Sequence, residues 1–126
     1  MMKISEVNRD LITIAQKVRL SKYYRLHMFL SSFRAHLANI ENDRDIAEGD
    51  ISVVLDRLSE TSKDSKPKYA QLLTQDFADI SAQNKDLRDN DVFIFLSVLM
   101  LKSAAKLRKI CNHIERSQVN YHVLRK

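Results

Sequence analysis

The sequence predicts an all-α fold: a single domain, residues 1–126, built as a bundle of about five helices. Helix-breaking residues are nearly absent, since the chain holds one glycine, Gly49, and one proline, Pro67. Apolar residues recur at steps of three and four through most of the rest, which is the period of an amphipathic helix. Together these two observations favour helices over strands.

The first two helices are each defined by one apolar row. We expect the first from about Ser5, whose hydroxyl can cap it, to about Leu20. The second should run from about Ser21 to Ile40. Their apolar rows are Val7, Leu11, Ile14, Ala15 and Val18 in the first, and Tyr23, Leu26, Leu30, Phe33, Leu37 and Ile40 in the second. Between Leu26 and Ile40 only Arg34 is certain to be charged, so we expect this helix to be covered on two sides. Its opposite side holds Met28, Ser32 and Ala35, with Ser31 and Ala38 beside them.

Turn-forming residues separate the next two helices. The run 41–45 is acidic and breaks the periodicity, and Gly49 is free to adopt a left-handed conformation in this connection. Asp50 can cap a short third helix, and Pro67 suits the first turn of a fourth because its missing N–H costs nothing there. The apolar rows are Ile51, Val54, Leu55 and Leu58 in the third helix, and Leu73, Phe77, Ile80 and Leu87 in the fourth.

The last helix should be long. Asp89, Asn90 and Asp91 suit the positive end of a helix, and the nearly all-apolar stretch 92–101 follows them. A buried strand would explain those ten residues as well. Helical spacing nevertheless continues beyond them, through Ala104, Leu107, Cys111 and Ile114. We therefore predict a C-terminal helix that is buried in its first half and amphipathic in its second, with the thiol of Cys111 buried.

The formal net charge of +5 is unevenly distributed along the chain. Residues 1–40 hold seven Lys or Arg against two acids, and residues 92–126 hold seven against one. Residues 41–65 hold eight acids against three bases, and residues 66–91 five against four. The two ends of the sequence are thus basic, and its middle is acidic.

A cationic row on the last helix is the candidate binding surface. Its members follow one another at steps of four and three, opposite the apolar row: Lys102, Lys106, Lys109, His113 and Arg116. Any amphipathic helix carries cations on its wet side, but a solubilising surface normally mixes both signs, and Glu115 is the only acid after Asp91. The candidate binding residues on this helix are Lys102, Lys106, Lys109 and Arg116. Lys22 and Arg25, which flank the tyrosine pair Tyr23 and Tyr24, are further candidates.

Such a surface predicts an anionic partner. Nucleic acid would be bound through its phosphates, in a salt-sensitive and largely sequence-independent way, with Tyr24 as a candidate for base stacking. An acidic protein is the other possibility, and the acidic segment 41–65 of a second copy would make a homo-oligomer. Pairing of the same segments within one chain is an equally simple account. A second function class is an adaptor or regulatory assembly protein that acts through apolar helix faces, the second helix among them.

The sequence contains few residue patterns that indicate a metal-binding or cofactor-binding site. One cysteine, four scattered histidines and one glycine leave no pattern for a zinc site or a phosphate-binding loop, so we expect neither metal nor cofactor. The N-terminal residues carry no apolar stretch of signal-peptide length, and the longest apolar run, residues 92–101, is half the length of a bilayer span; with the single cysteine, this favours a cytoplasmic protein.

The segment Arg108-Lys109-Ile110-Cys111-Asn112-His113 resembles the arginine, four residues, histidine signature of the HEPN helical ribonucleases. In that family the motif lies on a late helix of a small bundle and pairs across a dimer. The resemblance covers six residues, and Lys109 stands where the family usually has a polar uncharged or acidic residue. It implies Arg108 and His113 as catalytic residues for RNA cleavage. A non-enzymatic binding protein remains the leading interpretation.

Overall fold

The computed structural model describes residues 2–41 and 43–125, with side chains as far as Ile110. That part of the chain forms six helices and no strand. The helices are α1 (Ile4–Lys17), α2 (Tyr24–Leu37), α3 (Glu48–Glu60), α4 (Lys66–Gln83), α5 (Lys85–Arg88) and α6 (Asp91–Arg125). The predicted all-α bundle is confirmed. Among these residues, no helix is both long and apolar enough to cross a bilayer.

The apolar rows predicted for the first four helices form the core. Every member is buried except Ala15 and Ile40, which are partly buried at its edge. Four aromatic rings contact one another in series, in the order Phe33 and Phe29 of α2, Phe77 of α4 and Phe93 of α6, with successive ring centroids 5.5, 6.2 and 5.2 Å apart and the ring planes tilted or edge-on. This aromatic series joins three helices, and α6 packs along α4 and α3 on one side of the bundle.

The fourth helix is shorter than its apolar row suggested. Asn84 ends α4, and its side-chain oxygen accepts a hydrogen bond from the Leu87 N–H at 3.1 Å, which starts the single turn of α5. Leu87 therefore belongs to α5 rather than α4, and its side chain is buried in the core. Helical spacing cannot reveal such a break, because a one-residue interruption leaves the apolar period almost intact.

The start of α3 differs from the prediction. The helix begins at Glu48, so Gly49 lies in its first turn, and its φ is not positive. Asp50 is the third helical residue, and its carboxylate accepts from the Ala47 N–H at 2.9 Å. The predictions of a left-handed Gly49 and of Asp50 as the residue that precedes and caps the helix were therefore wrong. Asp50 instead lies inside the first turn, and its carboxylate reaches back to the N–H of Ala47.

The preceding connection is held by the N-terminal segment rather than by a glycine turn. The Ile4 N–H donates to the Arg44 carbonyl at 2.9 Å, and the Ile46 N–H donates to the Met2 carbonyl at 2.8 Å. Ile46 is buried at this junction. Two backbone hydrogen bonds therefore hold the start of α1 against the acidic connection.

The outer side of α2 is not covered. Met28 is 39% exposed, and Ser31, Ala35 and Ala38 are exposed as well. The expectation of a helix covered on two sides was wrong for this reason: α2 contacts its neighbours through one row of large side chains. Its small residues lie at the surface, where Ser and Ala are ordinary.

Candidate nucleic-acid interface on the last helix

Helix α6 separates a buried face from an outward face. Its buried side chains are Val92, Phe93, Leu96, Leu99, Met100, Ser103 and Ala104. Burial of the stretch 92–101 is therefore confined to one side of the helix. On the outward side, Lys102, Arg108 and Lys109 are exposed, and none has an ion-pair partner among the residues whose side chains are described. Three of the cations of the last helix thus face solvent.

Lys106 is engaged within the chain. Its Nζ lies 2.5 Å from Oε2 of Glu48, the first residue of α3, and the two side chains are 69% and 31% exposed. An exposed ion pair of this kind stabilises a protein by about 1 kcal/mol or less. One acid of the segment 41–65 therefore pairs with the basic helix inside a single molecule.

The side chains of Cys111, His113 and Arg116 lie outside the described part of the structure. The backbone there is helical, so Arg108 and His113 both belong to the last helix. Of that pair, the structure describes the side chain of Arg108 alone, and it is exposed.

Lys22 and Arg25 lie at a different place. Arg25 forms an ion pair with Asp76, at 3.4 Å, and its guanidinium lies 6.0 Å from the ring centroid of Tyr69. Burial raises the pKa of Asp76, although Arg25 acts in the opposite direction. Lys22 donates to Gln83 Oε1 at 3.3 Å. Both cations are thus partly satisfied by α4.

These two residues line a cleft of about 430 Å³ that also includes Leu58 and Thr61, at the C-terminal end of α3. Lys106 contacts Glu48, at the N-terminal end of the same helix. The 13 residues of α3 span about 20 Å. The structure therefore divides the predicted basic residues into two groups, one on α6 and one beside this cleft.

The structure buries Tyr23 and exposes Tyr24, as the sequence predicts. Tyr23 is 7% exposed, and its hydroxyl donates to Asp79 Oδ2 at 2.6 Å. This hydrogen bond is the main reason that the pKa of Tyr23 is raised to about 12, and burial adds to it. Tyr24 is 64% exposed and lines the cleft, so it is the tyrosine that is free to stack on a ligand.

An exposed apolar row on α6 is a feature that sequence reasoning missed. Ile94, Val98 and Leu101 are 45%, 44% and 57% exposed on the side opposite Phe93 and Met100. No charged residue occurs from 92 to 101. The signal was present in the sequence, since these three residues follow one another at steps of four and three, but a stretch that is apolar all round hides which side faces solvent.

Among the side chains that the structure describes, the most buried charge belongs to a structural cluster. The Asp50 side chain is 5% exposed, and it accepts from Arg44 at 2.6 and 3.1 Å, from the Ala47 N–H and from His36 Nε2 at 3.0 Å. Every lone pair of the carboxylate therefore has a donor, and nothing in the cluster is left to activate a substrate. Among the described residues, no three His, Cys, Asp or Glu side chains lie together in a group that could hold a metal ion.

Comparison of the chain with protein-family models, with curated proteins and with solved structures found no match. The function must therefore be argued from the geometry of this molecule.

Proposed function

We propose that this protein is a non-enzymatic binding protein that contacts the phosphates of nucleic acid through the outward face of α6. The observation that carries the proposal is the group of exposed cations, Lys102, Arg108 and Lys109, without ion-pair partners among the described side chains. Phosphates attract such groups because unopposed Lys and Arg displace condensed counterions when they bind.

The spacing of these cations favours contact with a polymer backbone. Lys102 and Lys109 are seven residues apart, so they share one side of the helix at a separation of about 10 Å along its axis. Two lysines in line on a helix can contact a phosphate backbone, with Arg108 about 100° round the helix from Lys109, whereas base reading needs side chains that enter a groove. We therefore expect little preference for sequence and a strong dependence on salt.

The test is a titration of labelled single- and double-stranded DNA and RNA at low and at physiological salt. The double variant Lys102→Glu/Lys109→Glu should weaken binding at least tenfold and lower the salt slope by about two. The control is Lys63→Glu/Lys85→Glu, which makes the same change in net charge at two exposed lysines outside α6. Equal losses in the two variants would show that net charge, and not the α6 surface, drives binding.

The wild-type titration has its own decisive outcome. Absence of binding to every nucleic acid at low salt would contradict the proposal, and would direct the search to an acidic protein as the partner of the same cations. Lys106 is left out of the variant because its contact with Glu48 would confuse loss of binding with loss of an intramolecular ion pair.

A second candidate function is assembly through apolar contacts. The exposed row of Ile94, Val98 and Leu101 supports it, because three large apolar side chains in line on one helix are typical of a surface that another protein covers. Salt separates the two candidates, since an apolar interface responds to ionic strength far less than phosphate binding does.

The HEPN resemblance gives a third proposal that the same titration tests. If Arg108 and His113 cleave RNA, the labelled RNA should shorten during incubation with the wild type and stay intact with His113→Ala. Intact RNA with the wild type would remove this proposal and leave the binding proposal unaffected.

A further inference from the structure

The outward face of α6 carries a longer regular row than its three apolar residues. Six exposed residues follow one another at steps of three and four: Asp91, Ile94, Val98, Leu101, Ala105 and Arg108. This is the spacing of the contact seam of a two-helix pair. The row covers five turns of helix, about 27 Å, and all of it lies on the side that the bundle leaves uncovered.

The row is arranged so that it complements itself when reversed. It begins with an acid, Asp91, and ends with a base, Arg108, with only apolar residues between them. If two copies of α6 lie antiparallel about a two-fold axis midway between Val98 and Leu101, each end meets the opposite end of its partner. The pairs are then Asp91 with Arg108, Ile94 with Ala105, and Val98 with Leu101, each formed twice.

We propose that a second copy of this chain covers this row, in an antiparallel α6 pair with Asp91 of each protomer opposite Arg108 of the other. The inference names the partner for the second candidate function above, and it does not depend on nucleic-acid binding. The proposed interface is isologous, since the same six residues are contributed by both molecules.

Charge selects this arrangement over the parallel one. A parallel pair would bring Asp91 to Asp91 and Arg108 to Arg108, so both ends would repel, whereas the antiparallel pair attracts at both ends. Neither residue has an ion-pair partner among the described side chains of its own chain, so both are free for this contact. Between its two ends the row itself carries no charge that would oppose close approach of the two copies.

The flanks of the row are compatible with the same pairing. Phe95, which is partly exposed, lies just over one turn before the proposed axis, and Lys102 lies less than one turn after it on the same edge. The antiparallel pair brings Lys102 of one copy close to Phe95 of the other, where an ammonium and an aromatic ring attract each other. Ser97 lies on the other edge and is small enough to allow the helices to approach.

The length of the contact sets the expected affinity. Stable interfaces bury at least about 1,000 Å² in total, which one helix pair of five turns only approaches. We therefore expect a dimer with a dissociation constant on the order of micromolar, seen as an increase in mass with concentration.

The first experiment is sedimentation equilibrium of the full chain, without nucleic acid, over a range of concentrations. The variant Val98→Glu should remain monomeric at concentrations where the wild type is dimeric, because it places two carboxylates beside the axis. The matched control is Val53→Glu on α3, where the replaced side chain is 39% exposed against 44% for Val98. The control should dimerise as the wild type does.

The second experiment tests the register and needs no apolar substitution. Asp91→Arg alone or Arg108→Asp alone makes both ends of the antiparallel pair repulsive, so each should weaken dimerisation by about tenfold. The double variant, with the two charges exchanged, restores both ion pairs and should recover the wild-type constant. In a parallel pair neither single change would weaken the dimer. Circular dichroism should show equal helix content in all four proteins.

The proposal is overturned if the wild type stays monomeric throughout the concentration range, or if Val98→Glu dimerises as well as the Val53→Glu control. A double charge exchange that is no better than the single variants would overturn the antiparallel register. The two proposals fail separately, because dimerisation is measured without nucleic acid and the nucleic-acid titration compares wild type with a variant of Lys102 and Lys109, which all the dimer variants retain.

Discussion

At the scale of the residue, the carboxylate of Asp50 joins three parts of the fold. Its carboxylate is almost fully buried, and it binds the connection through Arg44, the first turn of α3 through the Ala47 N–H, and α2 through His36. Burial by itself raises the pKa of Asp50, but the hydrogen bonds from these three donors outweigh it, so the pKa is lowered overall. The folded state therefore favours the ionised carboxylate.

We expect Asp50→Asn to lower the free energy of unfolding by about 2 kcal/mol at neutral pH, because Arg44 and His36 lose their charged acceptor. Stability contributed by a lowered pKa is complete above the unfolded value, about 3.9 for Asp, and is lost as the pH falls through the folded value. Below about pH 4, the wild type should therefore lose stability more steeply than the variant. Urea unfolding at several pH values measures both effects.

The control for this prediction is Asp43→Asn, the same substitution at an exposed acid of the same connection. It should change stability by less than about 0.5 kcal/mol. Asp76 acts in the opposite sense, since its pKa is raised, chiefly by burial, so that its protonation offsets part of the acid destabilisation in both proteins. Parallel pH profiles for the wild type and Asp50→Asn would contradict the assignment.

At the scale of the element, α3 shows how a helix can begin on weak sequence signals. Ala47 precedes it and has no side-chain acceptor, and Gly49 has a low helix propensity. The helix nevertheless starts there, because Asp50 satisfies the Ala47 N–H and Glu48 and Asp50 place negative charge at the positive end of the helix. Lys106 of α6 also forms an ion pair with Glu48, the first residue of this helix.

Replacing Gly49 with alanine should stabilise the protein by about 0.5 kcal/mol, because alanine loses less backbone entropy on forming the helix. A Cβ atom at this position meets nothing within 4 Å, and the φ of Gly49 is not positive, so no clash or strain opposes the change. The midpoint of thermal or urea unfolding measures it. Gly49→Val is a useful comparison, since its β-branched side chain has a lower helix propensity and should gain less. A lower midpoint for Gly49→Ala would contradict a helical Gly49.

The other element of interest is α6, where one helix carries three different surfaces. One side packs on α4 and α3, the opposite side presents Ile94, Val98 and Leu101, and Lys102, Arg108 and Lys109 follow towards its C-terminal half. The two proposals therefore concern neighbouring parts of one element. Val98→Glu tests the apolar row without removing any of these cations. Lys102→Glu/Lys109→Glu leaves the apolar row intact, although it also removes the ammonium of Lys102 that flanks the proposed dimer contact.

At the scale of the whole molecule, the aromatic series holds the bundle together. Phe77 lies at its centre, 2% exposed, between Phe29 of α2 and Phe93 of α6. Because α6 packs mainly through α4 and α3, the contact of Phe77 with Phe93 couples α6 to the aromatic residues of α2 and α4.

We expect Phe77→Ala to lower the free energy of unfolding by about 3 to 5 kcal/mol, since the removed ring leaves a cavity between three helices. That is a large part of the 5 to 15 kcal/mol typical of a domain. The matched control is Phe95→Ala on α6, where the ring is only partly buried and should cost much less. Urea unfolding at low protein concentration compares them without any contribution from dimerisation. Equal losses would show that the aromatic series is not the centre of the core.

The sequence by itself determined the all-α class and the apolar rows of the first four helices, because helical periodicity depends only on which neighbours share a face. It also identified the cations of the last helix and separated Tyr23 from Tyr24. Tertiary structure decided the rest. Whether Lys106 is free depended on the position of Glu48, 58 residues away.

The placement of Lys22 and Arg25 beside the cleft, apart from the cations of α6, likewise depended on residues of α4 such as Asp76. Which side of the stretch 92–101 faces outward depended on where α4 and α3 pack against it. The physical reason is the same in each case. Periodicity assigns a residue to a face of its own helix, but the exposure, pairing and pKa of that residue are set by the element that packs against the face. A uniformly apolar stretch such as 92–101 gives the sequence no means of distinguishing its buried side from the side that remains open.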